Sequence, residues 1–190
     1  MTRAIAEQVA ILKDKNADAA KRADAARYVI HFVGDLHQPL HVGSVYLDPD
    51  GKLVDPDAAH AVEPNSSTIG GNAIHDQNVK LHGEWDDIPT DIGDAATREL
   101  LAAARVVPAT PGVPDDWPAA WATDTVMVAH EAFAGLTFTF NPPQPPSTRI
   151  QWLVAFEDHT AYLWLMDQIK RKQLAKGGAR LAELLNTIWP

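Results

Sequence analysis

Apolar residues recur at Ile5, Val9 and Leu12, the spacing of one helical face, and predict a helix over residues 2–13. Asp18 reads as the N-cap of a second helix running to about Leu36. Pro39 ends it and pushes Gln38 out of the α region. Residues 43–72 are rich in Gly, Pro, Asp, Asn and Ser and predict a long loop, a length usually associated with function or disorder. Helical patterns follow over roughly 76–87, stopped by Pro89, over 93–105, and from near Asp115 to Phe133 with Pro118 in the first turn. Thr137–Phe140 reads as extended. A stiff Pro-rich connector, 141–147, leads into a final helical stretch over 148–188. Gly177 and Gly178 interrupt that pattern, at a cost of roughly 1 kcal/mol each relative to Ala, and close helix packing would explain them.

Strand-type alternation is scarce and Ala abundant, so the expected class is all-α: one mainly helical domain over residues 1–190. Apolar residues make up 46% and charged residues 22%, enough for a hydrophobic core. No apolar run is long enough to span a membrane, and the chain opens on an amphipathic pattern rather than a signal peptide.

The net charge of −9 changes the picture of any polyanion partner. A basic nucleic-acid-binding face is excluded, so attraction would have to come from local cations. Two or three bound Zn²⁺ ions would supply roughly +4 to +6 at the site itself. The chain has no cysteine, so a metal must be held by His, carboxylate or backbone.

Two clusters supply such ligands. In His31-Phe-Val-Gly-Asp35-Leu-His37-Gln-Pro-Leu-His41, His31 and Asp35 are four apart, one turn along a helix. An imidazole and a carboxylate so placed can share one metal ion or bind two adjacent ones. His41 follows the proline break, where the chain can turn it back to the same spot. In Leu81-His82-Gly-Glu-Trp85-Asp86, His82 and Asp86 repeat the pairing. A lone pair of this kind is usually a surface ion pair. Here apolar Tyr28, Val29, Ile30, Phe32 and Val33 flank His31, and a buried charged pair is costly without a reason such as a metal. The combined donor set favours Zn²⁺ over Mg²⁺.

The run from His31 to Gly43, the Gly70-Gly71-Asn72 triplet, Leu81-His82-x-x-Trp85-Asp86 and the segment Gln173–Asn186 together resemble the S1/P1 nucleases. The resemblance implies a mainly helical zinc enzyme that cuts single-stranded DNA and RNA and acts as a 3′-nucleotidase, secreted or periplasmic. It implies that His31 binds one ion and that Asp35, the catalytic carboxylate, bridges it to another. It implies that His41, His82 and Asp86 hold the remaining ion, and that Gly70, Gly71 and Asn72 line a nucleobase pocket. The implied chemistry is metal-assisted hydrolysis with in-line attack on phosphorus.

The family's remaining zinc ligands lie upstream of the helix matched by residues 2–13. The expectation is therefore a chain lacking the N-terminal part of the fold, which binds about one zinc well and cleaves poorly. Two alternatives follow: a zinc phospholipase C, which shares the fold and zinc arrangement, and a catalytically inactive metal-binding helical fragment.

Of the other histidines, His37 is expected on the cleft rim or in contact with the ligands. His60 and His130 are expected at the surface. His75-Asp76 and Asp158-His159 hold the His/Asp adjacency of HD-type phosphohydrolases, but the spaced ligands of that class are not evident. The six tryptophans are expected mostly in the core, with Glu84 and Asp87 facing solvent.

Overall fold

A computed structural model of the protein describes residues 1–58, 66–93, 95–143 and 150–189. His60, residues 144–147 of the Pro-rich connector and residues 148–149 of the stretch after it lie outside the described residues. Helix α1 (Thr2–Lys13) buries Ile5, Val9 and Leu12, the stripe its spacing predicts. Helix α2 (Ala19–His37) starts where the Asp18 side chain accepts from the Lys21 N–H and buries Ala25, Val29, Val33 and Leu36. At Gln38 the backbone turns extended (φ −84°, ψ 119°), and Pro39 opens a one-turn helix, α3 (Pro39–Val42).

The stretch predicted as a long loop carries a small hairpin, β1 (Tyr46–Leu47) and β2 (Leu53–Val54). Strands β3 (Ile74–Asp76) and β4 (Val79–Lys80) then lead directly into α4 (Leu81–Asp86). Helix α5 (Arg98–Arg105) lies against the last helix, and α6 (Trp117–Ala132) carries Pro118 at its start, as expected. Strands β5 (Leu136–Asn141) and β6 (Gln151–Phe156) pair antiparallel, and β6 runs parallel to β3, giving a sheet in the order β4-β3-β6-β5. Helix α7 (His159–Ile188) closes the chain.

The fold is therefore mainly helical, as expected, with a small four-stranded sheet beside the helices. Residues 151–156 form a strand rather than the start of the last helix, because Asp158 caps α7 by accepting from the Ala161 N–H. Residues 76–80 likewise belong to the β3–β4 hairpin, which confines the fourth helix to six residues. Gly177 and Gly178 leave α7 unbroken. A Cβ on Gly177 would sit 3.4 Å from the His37 ring, so Gly177 lets α7 approach α2 closely.

Two apolar clusters hold these parts together. One packs α1 and α2 under Trp117, Trp121 and Leu184. The other packs Leu40, Ile74, Leu81, Trp85, Phe138, Trp152 and Tyr162 between the sheet, α4 and α7. Four tryptophans are buried as expected, whereas Trp164 and Trp189 are exposed. Among the described residues no helix is long and apolar enough to cross a membrane.

Candidate metal centre

Helix α4 presents its ligand candidates through its own packing. Leu81 and Trp85, four apart, are both buried, and the Trp85 indole donates to the Tyr162 hydroxyl at 3.0 Å. That hydroxyl in turn donates to the Ala132 carbonyl, and burial pushes it up to about 12. With one side of the short helix pinned, His82 and Asp86 fall on the adjoining stripe, at the edge of a cleft. On α2 the core takes Val29 and Val33, so His31 and Asp35 lie on a stripe turned away from it. His31 is accordingly 65% exposed, and Tyr28 and Ile30 are exposed too, so the apolar flank does not bury this pair.

The structure brings all five candidates into one chain of contacts. His31 Nε2 lies 3.2 Å from Asp35 Oδ2, and Asp35 Oδ2 lies 3.6 Å from His41 Nδ1. The far side of the same ring puts His41 Nε2 3.1 Å from Asp86 Oδ1. His82 Nε2 is 3.5 Å from Asp86 Oδ2, and the rings of His41 and His82 stack at 4.9 Å. Donor atoms around a tetrahedral zinc lie about 3.4 Å apart, given Zn–N distances near 2.1 Å. Among the described residues, His41, His82 and Asp86 form a group of three whose ligand atoms lie within 4.8 Å of one another. Three donors of the His/His/carboxylate type fit a zinc ion with one position left open.

The neighbours of these residues select which atoms face inward. The Gly70 carbonyl lies 2.6 Å from His82 Nδ1, and a carbonyl only accepts, so Nδ1 carries the proton and Nε2 keeps its lone pair. Ile69, Gly70 and Gly71 all have positive φ (54°, 56° and 81°), and this left-handed turn aims that carbonyl. A β-branched residue there is unusual and costly, as backbones at functional sites often are. Asn72 donates from its amide to the Ile69 carbonyl across the same turn. Gln38, absent from the sequence-derived set, donates from Nε2 to Asp86 Oδ1 at 2.8 Å. Burial works to raise the Asp86 carboxyl, but the hydrogen bonds from Gln38 and His41 and the adjacent imidazoles hold it below the usual carboxylate range.

A cleft of about 440 Å³ opens beside Asp35, His41 and Asp86 and runs between α2 and α7 along Ile30 and Leu174. Lys170 reaches it, donating to the Glu84 carbonyl; burial pulls its ammonium down, against nearby carboxylates. Glu84 is half-buried rather than solvent-facing, and burial pushes its carboxyl up.

His37 lines the same cleft from beneath and is not exposed on its rim. It is buried, with Nδ1–H donating to the Val33 carbonyl at 2.7 Å and Nε2 accepting from Arg180 at 3.1 Å. Burial lowers it to about 4. Gln173 donates to its carbonyl, and Asp124 pairs with both Arg180 and Lys176. His130 is exposed as expected. His75 and Asp76 sit on β3, where neighbouring side chains point to opposite faces, and only Asp76 approaches His159, at 3.8 Å.

Comparison with known proteins finds relatives named as nucleases. Nuclease PA3 of a Penicillium species is 27% identical over 97% of this chain. Nuclease P1 of Penicillium citrinum is 26% identical over the same share. Endonuclease 4 of Arabidopsis thaliana is 25% identical over 87% of the chain. The chain spans 65% of the length of each fungal relative and 50% of the plant one. No solved structure gives a significant match. The model of the S1/P1 nucleases matches residues 1–190, from end to end, and the chain belongs to that family.

Proposed function

We propose that this protein hydrolyses phosphodiester bonds of single-stranded DNA and RNA, with 3′-nucleotidase activity, using zinc held by His41, His82 and Asp86. The observation that carries the reading is the group formed by these three side chains, with ligand atoms within 4.8 Å, at the mouth of a cleft. The relatives' names, nuclease and endonuclease, point to the same chemistry. The secreted habit of the family is proposed for this protein as well.

Zinc in such a site lowers the pKa of bound water and offsets charge on the phosphate oxygens. The chain's own residues prepare that chemistry. His82 is fixed in the tautomer that leaves Nε2 free, and Asp86 is kept ionised by Gln38 and His41. Asp35 lies 3.2 Å from His31 and 3.6 Å from His41, which supports a role for it in holding a second ion. Lys170 brings a cation to the cleft wall, where an anionic phosphate approaches. The Gly70-Gly71-Asn72 turn adjoins His82 and is our candidate for contact with the base.

The test is cleavage of single-stranded DNA by the purified chain with zinc, with chelator, and after His82→Ala. Cleavage that needs zinc and is lost in the variant supports the proposal. Zinc uptake without any cleavage would favour an inactive metal-binding protein, and turnover of phosphatidylcholine instead would favour a phospholipase.

A further inference from the structure

Gln38 occupies the only residue between α2 and α3, and each of its polar groups has a different partner. Its backbone carbonyl accepts from the His41 N–H at 3.1 Å. Its side-chain oxygen accepts from the Leu40 N–H, as an N-cap does. That contact fixes the orientation of the amide, because only the oxygen can face an N–H donor. The amide nitrogen is thereby turned to Asp86 Oδ1 at 2.8 Å, across 48 residues of sequence. The extended conformation that makes this reach possible follows from Pro39 next in the chain.

We infer that Gln38 is a positioning residue, which sets how Asp86 meets the metal. This inference rests on the metal reading above. Asp86 has a side chain 48% exposed, so its own helix leaves it free to turn. Oδ1 faces both Gln38 Nε2, at 2.8 Å, and His41 Nε2, at 3.1 Å. With one lone pair of Oδ1 held by Gln38, the carboxylate keeps Oδ2 turned to His82 Nε2, 3.5 Å away. Asp86 held in this way would offer a bound ion one oxygen, not two. A single oxygen plus two imidazoles keeps the site at three protein donors, with a position open for water or substrate. The same residue holds the turn carrying His41, so two ligands 45 residues apart share one organiser. Partners of this kind typically contribute 10–100-fold in metal affinity or activity.

Gln38→Asn separates the two roles of the side chain. Asn caps helices as well as any residue, but it is one methylene too short to reach Asp86. Gln38→Leu removes both roles. Binding of Co²⁺ to the full chain is read by titration and by its d–d absorption, which reports coordination number. Both variants are expected to bind Co²⁺ about tenfold or more weakly, with the spectrum moving toward five-coordination as Asp86 becomes bidentate. Only Gln38→Leu is expected to lose stability in the metal-free state. Co²⁺ affinity of Gln38→Asn within twofold of the unaltered chain, with an unchanged spectrum, overturns the inference. If the unaltered chain takes up no Co²⁺, the metal reading falls instead. The Gln38 side-chain amide resonances of the metal-free chain still decide the inference: a shift on Asp86→Ala supports it, and no shift overturns it.

Discussion

The imidazole of His82 donates its Nδ1 proton to the carbonyl of Gly70, 2.6 Å away, and the turn that aims this carbonyl leaves no room for a side chain. A Cβ on Gly70 would lie 2.1 Å from the Leu40 carbonyl oxygen, at a φ of 56°. Gly71 is less constrained, since its Cβ would first meet the movable end of Leu40 at 3.1 Å. Gly70→Ala is therefore expected to destabilise the metal-free chain by about 2–3 kcal/mol and to weaken metal binding with it. Gly71→Ala is expected to cost less. Urea unfolding of the two variants checks the order, and equal losses would remove Gly70 from its role in aiming His82.

Metal uptake has a thermal signature. A ligand that binds only the folded state stabilises it by about 4 kcal/mol at a thousandfold excess over Kd. For a chain of this size that corresponds to a Tm rise of roughly 8–16 °C. Since His41, His82 and Asp86 form the three-ligand group among the described residues, one zinc per chain is expected to bind tightly. His82→Ala should abolish most of the rise, and His31→Ala, at the exposed end of the cluster, little of it. Elemental analysis of the same samples gives the stoichiometry. A full rise in His82→Ala would place the tight site elsewhere.

How far the sequence reached depended on how local the governing contacts are. The stripes Ile5-Val9-Leu12 and Val29-Val33 announce α1 and α2 because each helix buries its own repeat. The His/Asp pairs at four-residue spacing were visible for the same reason. Strand β6 was missed because Gln151–Phe156 owes its conformation to β3 and β5, and β3 lies far away in sequence. Burial of His31 was overestimated because its apolar neighbours Tyr28 and Ile30 point outward with it. Gln38 and the Gly70 carbonyl were not recognised as partners of ligands, since nothing within a few residues of either names Asp86 or His82. His37 was expected on the cleft rim or in contact with the ligands, but Gly177 lets α7 close against it and bury it.

That burial makes His37 a source of pH-dependent stability. Its pKa falls from 6.5 to about 4 on folding, so the unfolded chain binds more protons between those values. Its contribution is fully present above pH 6.5 and is lost as the pH falls toward 4, about 3 kcal/mol in all. Asp86, whose carboxyl is also lowered, acts at lower pH. His75, lowered by burial, and Glu84, raised by burial, also act in this window, so the difference between the two chains is what reports His37. His37→Gln keeps an acceptor for Arg180 without titrating. Denaturant unfolding in chelator should show a smaller loss of stability from pH 7 to pH 4.5 in the variant. Parallel pH profiles for the two chains would assign the loss to other groups.

The charge of the chain bears on how it meets a polyanion. With 25 acidic side chains against 16 basic ones, no broad field draws nucleic acid to the surface. Attraction must then come from the metal and from few cations, such as Lys170 at the cleft wall. Affinity driven by counterion release falls with salt in proportion to the number of phosphates neutralised, with a slope near −0.9 per contact on duplex and −0.7 on single strands. Binding of an uncleavable phosphorothioate single strand to the zinc-loaded chain is therefore expected to show a slope of about −1 to −2. Lys170→Met should weaken binding and make that slope shallower by about one contact. A slope of about −5 or steeper would mean that an extended row of lysines and arginines carries the strand, and that the metal is not the main anchor.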